Sequence, residues 1–168
     1  MSRSLIAISL FALTLGLVAC NKHADAPKAA PVVLSAPADN NDDAWKAYLG
    51  QVVSKNMSGV TDRVYPYYLP ANSGVPTPGD LDKHSQYDRQ LENVSGVIAR
   101  TVLPGNMLVF GSPDSARMGD LIIAAMTGAK ADALKGSQVL FIGKPADNDR
   151  VKAAVEAAGG KYIFIEAK

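Results

Sequence analysis

Cysteine occurs once in this chain, at position 20, and histidine only twice, at positions 23 and 84. A single thiol excludes an intrachain disulfide and any metal site built on paired cysteines. Two histidines so far apart leave no pair at metal-ligand spacing. Charge of one sign is missing as well. The formal net charge is +1, so no basic field exists to gather nucleic acid and no basic patch to hold anionic headgroups. No unbroken apolar run reaches the ~20 residues that a membrane-spanning helix needs. Whatever core the chain builds must therefore hold by packing alone. Aromatic residues make up only 7% of the chain, and they are unevenly placed. Trp45, Tyr48, Tyr65, Tyr67, Tyr68 and Tyr87 all fall in one stretch, and Tyr162 is the one tyrosine beyond it.

What is present begins at the N-terminus. Arg3 supplies a positive charge, and Leu5 to Ala19 runs apolar, broken only by Ser9, Thr14 and Gly16. That length suits the apolar region of a secretion signal. The run ends in Leu17-Val18-Ala19-Cys20, which resembles the lipobox of bacterial lipoproteins. The resemblance covers residues 1–20 and implies that the signal (1–19) is removed and that Cys20 carries the lipid. More than one acyl chain holds a protein stably on a membrane, whereas a single chain is marginal. Asn21, where an aspartate would resemble an inner-membrane retention signal, implies delivery to the outer membrane, facing the periplasm. Loss of Arg3 with the signal leaves acidic and basic residues in balance, so membrane attachment falls to the lipid.

Residues 21–43 are rich in Ala, Pro, Asn and Asp, with Val32-Val33-Leu34 their only apolar run. Such a composition offsets little of its ordering entropy. With Cys20 it predicts a lipidated tether over 20–43, able to reach ~75 Å at about 3.3 Å per residue. Residues 44–168 are of a size for one domain.

Within that domain, Asp42-Asp43 opens a helical pattern whose apolar face is Trp45, Leu49, Val52 and Val53. Residues 60–69 are β-prone, but Pro66 restricts them to an edge strand or an extended loop. Residues 70–83, with three prolines and two glycines, predict a long surface loop. A second helix is expected over 85–100, with Tyr87, Leu91, Val94 and Ile98 as its stripe. Three continuous apolar runs follow at 107–110, 139–142 and 162–165. Unbroken runs of this length suit strands of a parallel sheet covered on both faces. Between them lie two helical patterns, one opened by Ser112-Pro113 and the other by Asp147 as expected caps. The expected fold is α/β: a small three-layer βαβαβ unit in the C-terminal half, with the N-terminal helices packed on one face or edge.

Two sets of residues carry functional expectations. Ligands of open parallel sheets sit beyond the carboxyl ends of the strands, near helix N-termini. That rule selects Ser112, Ser115, Arg117 and Lys144 as a candidate anion site, although neither loop has a dinucleotide or phosphate-loop fingerprint. The competing reading makes Ser112 and Asp147 helix caps and leaves Arg117 and Lys144 solvated. The second set is Tyr65, Tyr67 and Tyr68, a candidate partner surface, because aromatics with a polar tip carry much interface energy. Alternation puts Tyr65 and Tyr67 on one face and Tyr68 on the other, with at least one expected to be exposed. Asp80, Asp82 and His84 could form a hard-metal or general-base cluster, but Lys83 sits among them, no second His follows at ligand spacing, and a helix-leading loop explains them as well.

No catalytic set, cofactor or metal is implied. The functional expectation is a non-catalytic binding or accessory module for an envelope partner. The alternative is a small enzyme or sensor of an anionic ligand at the carboxyl-end loops.

Overall fold

The computed structural model describes residues 34–168 apart from Thr77 and Asp80. The segments read as a secretion signal, a lipobox with Cys20 and, up to residue 33, a tether lie outside the described residues. The compact unit runs Val33–Lys168.

Four strands, β1 (Val64–Tyr68), β2 (Met107–Gly111), β3 (Gln138–Gly143) and β4 (Lys161–Glu166), form one sheet in the order β1-β2-β3-β4. Every neighbouring pair is parallel. The two central strands are buried along their whole length, which is why their sequences show no polar alternation. In β1 the odd-numbered positions face the ladder: Arg63 O accepts from Met107 N, and Leu69 N donates to Gly111 O. Pro66 therefore stands at an edge-facing position. Its missing N–H costs no ladder bond, and the edge is blunted against further pairing.

Four helices complete the unit: α1 (Asp42–Lys55), α2 (Gln86–Ala99), α3 (Ser115–Met126) and α4 (Pro145–Ala157). Helices α2, α3 and α4 each connect successive strands and lie on one face. Their stripes, including Val94, Ile98, Leu121, Ile122, Val151 and Val155, bury Leu108, Phe110, Val139 and Phe141. Helix α1 alone covers the other face, packing Trp45, Tyr48, Leu49 and Val52 on Met107, Val109, Leu140 and Ile142. The α/β expectation holds, and the repeat is one unit longer than expected because residues 64–68 do form the edge strand.

Helix caps differ in detail from the sequence reading. Ser85 caps α2 and forms a capping box with Asp88, as its spacing allows. The N-cap of α3 is Asp114, which accepts from Arg117 N at 3.0 Å, so Ser112 is no helix cap. Its hydroxyl accepts from Asp114 N instead. The N-cap of α4 is Lys144, and Pro145 takes the first helical position, where its absent N–H costs nothing. Asp147 therefore lies inside the first turn. Helix α2 ends at Ala99, followed by Thr101 at φ 66, a left-handed position usually given to glycine.

The body also begins earlier than residue 44. Ala36 N donates to Lys168 O at 2.7 Å, and Leu34 and Ala36 pack on the α1-face core. Trp45 Nε1 donates to Asp39 O at 2.9 Å. Residues 34–41 thus belong to the fold, because one helix is too narrow to cover four strands.

Candidate functional site

At the carboxyl ends of the strands the structure brings Ser115 and Lys144 together and turns their polarity inward. Ser115 Oγ accepts the Lys144 N–H at 2.7 Å and donates to Asp147 Oδ2 at 2.6 Å. Asp147 Oδ1 accepts from Arg150 Nε and Nη2 at 3.0 and 2.7 Å. Arg150 also reaches the Asp120 carboxylate and the Ala116 carbonyl, tying α3 to α4. Two glycines admit this clasp. A Cβ at Gly143 would stand 2.7 Å from Ser115 Oγ, and one at Gly119 would stand 2.7 Å from Arg150 Nη2. Burial opposes the Asp147 charge, but the bonds from Ser115 and Arg150 outweigh it and hold the carboxyl below its usual range. The Asp120 bond in turn raises the Arg150 guanidinium.

This arrangement does not assemble the expected anion site. The opening beside it, about 340 Å³, is lined by both Asp114 and Asp147 against the single Lys144. Ser112 is buried, with its hydroxyl engaged by Asp114 N. Arg117 lies 3.4 Å from Asp114 Oδ2 and packs against Gly74. The strand order explains the outcome. Helices that all cross on one face leave no reversal point, and that reversal is what opens a ligand crevice in doubly wound sheets. Arg150 and Asp120, which complete the clasp, went unremarked in the sequence; the Asp147–Arg150 spacing of three within a helix was their only signal.

The tyrosines divide between the faces as alternation requires. Tyr67 is buried and stacks on Phe110, ring centroids 5.0 Å apart; burial pushes its phenol up. Tyr65 is half-buried on the same face. Tyr68 is half-buried on the α1 face, where its hydroxyl donates to Asp42 Oδ1 at 2.9 Å and Lys46 Nζ lies 5.7 Å from its ring. Burial, then the Asp42 bond, raises the Tyr68 phenol strongly. None of the three is fully exposed, and no single flat patch joins them.

Tyr68 nevertheless forms one wall of an apolar groove of about 420 Å³ between α1 and the free side of β1. Leu49, Gly50, Val53, Val64 and Pro66 complete it, with Lys46 among its lining residues. Of these residues, Leu49 and Val53 were read as helix stripe and Val64 and Pro66 as edge strand or extended loop, not as a surface. Gly50 borders open space, since a Cβ at that position would meet nothing within 4 Å.

Asp82 and His84 are exposed, and Asp80 lies outside the described residues. Among the described residues no three His, Cys, Asp or Glu side chains gather at metal-binding distance, and no helix is long and apolar enough to cross a membrane. Comparison with known protein families, curated proteins and solved structures gives no match to this chain.

Proposed function

We propose that this protein is a lipid-anchored module of the bacterial envelope, held at the outer membrane through Cys20. It acts without catalysis, by binding an apolar segment of another envelope protein. The observation that carries the reading is the α1–β1 groove. It is apolar along its length, open to solvent on an edge of the sheet, and flanked by an aromatic with a polar tip. Apolar floors with an aromatic anchor are where binding energy concentrates in interfaces. The lipobox at Leu17-Val18-Ala19-Cys20 supports the anchor. The alternative, an anionic ligand at Ser112, Ser115, Arg117 and Lys144, loses support because that opening carries more carboxylate than cation.

The test places a photoreactive benzoylphenylalanine at Gly50 in the full chain within its native envelope. A discrete crosslinked adduct is expected, together with palmitate incorporation that Cys20→Ser abolishes. Adducts from an exposed control at Lys152 but none from position 50 would contradict the groove. Label retained by Cys20→Ser would contradict the anchor.

A further inference from the structure

A further opening lies at the other end of the sheet. It measures about 500 Å³, within the ~300–1,000 Å³ range of small-molecule sites. Its walls come from the entry to β1 (Arg63) and β1 itself (Tyr65), the last turn of α2 (Val97) with its C-cap (Arg100), and the following loop (Thr101, Leu103). Neither this cavity nor its two arginines belongs to the α1–β1 groove or to the carboxyl-end clasp.

Three features give it a chemistry. Its lining carries one net positive charge, since Asp62 stands against both Arg63 and Arg100. Asp62 approaches Arg63 only at 4.0 Å, with the arginine side chain largely and the aspartate about half in solvent, and a contact of that kind is weak. Arg100 makes no ion pair or side-chain hydrogen bond among the described residues, leaving its planar fork of donors free. An arginine fork matches a carboxylate or sulfonate in two parallel bonds. The apolar part comes from Tyr65, Val97 and Leu103, and Leu103 is 64% exposed on the lip. The rim is held firmly. Buried Asn106 accepts from Arg63 N at 2.9 Å and donates to Leu103 O at 2.9 Å, locking the strand entry to the loop. Thr101, beside Arg100, holds a left-handed conformation that costs a β-branched residue strain. Such strain gathers at sites that bind.

We infer that this cavity binds a small monoanion with a flat apolar body, its carboxylate or sulfonate held by Arg100 and Arg63 and its body by Tyr65, Val97 and Leu103. The α1–β1 groove takes an apolar segment without a requirement for charge, so either site can fail without the other.

The experiment is isothermal titration of the full chain, reconstituted in lipid nanodiscs, with naphthalene-1-sulfonate. Empty nanodiscs serve as the blank, and uncharged 1-naphthalenemethanol is the comparison ligand. One saturable site is expected, with the uncharged compound weaker by about tenfold or more. Arg100→Gln should weaken the sulfonate about tenfold and leave the uncharged compound unchanged. Arg63→Gln should weaken the sulfonate less, and Arg100→Lys should fall between wild type and Arg100→Gln. Lys144→Gln, at the opposite end, should bind as wild type does. Each variant's urea midpoint should match wild type, since both arginines are exposed. Absence of saturable binding to wild type, equal affinity in Arg100→Gln, or a matching loss in Lys144→Gln would overturn the inference.

Discussion

The two ends of this sheet use similar residues for opposite purposes. At the carboxyl ends, Ser112, Ser115, Asp147 and Arg150 are engaged by their own chain, and α3 and α4 are clasped together over the strand termini. At the amino ends, Arg63 and Arg100 frame an open cavity, and Arg100 makes no ion pair or side-chain hydrogen bond among the described residues. The expectation that a parallel sheet binds beyond its carboxyl ends rests on strand order rather than on parallel strands as such. Where the order reverses, neighbouring helices diverge and leave a crevice. Here the order is sequential, the helices lie side by side on one face, and their N-termini close on each other.

Substitutions can sharpen this contrast. The sheet centre sets the scale. Phe141 is fully buried in β3, so Phe141→Ala should cost about 3–5 kcal/mol in urea unfolding, through lost burial plus a cavity. The carboxyl end should come next. Asp147→Ala leaves the buried Ser115 hydroxyl without its acceptor and removes one of the two carboxylates on Arg150, and a loss of about 1–3 kcal/mol is expected. A loss under about 0.5 kcal/mol would mean that the clasp does not hold α3 to α4.

The same carboxylate predicts a pH dependence. Its folded pKa lies below its ordinary value. Its contribution is therefore present above the unfolded carboxylate pKa of about 3.9 and is lost as pH falls through the folded value. Urea midpoints followed downward from about pH 5 should decline less steeply in Asp147→Asn than in wild type. Part of the decline should persist, because Asp88 is also held low by its bonds with Ser85.

At the amino end the expected effect is smaller and of opposite sign. Thr101→Gly relieves the left-handed strain but adds freedom to the unfolded chain, for a net gain of about 0.5–1 kcal/mol. A destabilised Thr101→Gly would show that the threonine side chain contributes packing that its exposure conceals.

Much of this was legible in the residues themselves, for identifiable reasons. The unbroken runs at 107–110 and 139–142 announce central parallel strands, since only cover on both faces permits them. Pro66 narrows residues 60–69 to an edge strand or an extended loop, because a proline at an edge costs no ladder bond. What escaped reading is tertiary. Whether Ser115 faces solvent or Asp147 depends on how close α3 and α4 come, which Gly119 and Gly143 decide jointly across the fold. The groove beside Tyr68 depends on the placement of α1 over an edge strand. The one local hint at the amino end was Arg100-Thr101, which follows a helical pattern where glycine would be ordinary.

The contrast between the ends is tested most directly by urea unfolding of Asp147→Asn and Arg100→Gln, each with and without naphthalene-1-sulfonate. A ligand held only by the folded state adds about 2.7 kcal/mol at a hundredfold excess over its Kd. Asp147→Asn should begin from a lowered midpoint and keep the full ligand-induced rise. Arg100→Gln should begin from the wild-type midpoint and lose about half of that rise, the share that a tenfold weaker Kd removes. The reverse result, a rise kept in Arg100→Gln and lost in Asp147→Asn, would put the ligand at the carboxyl end and contradict the account.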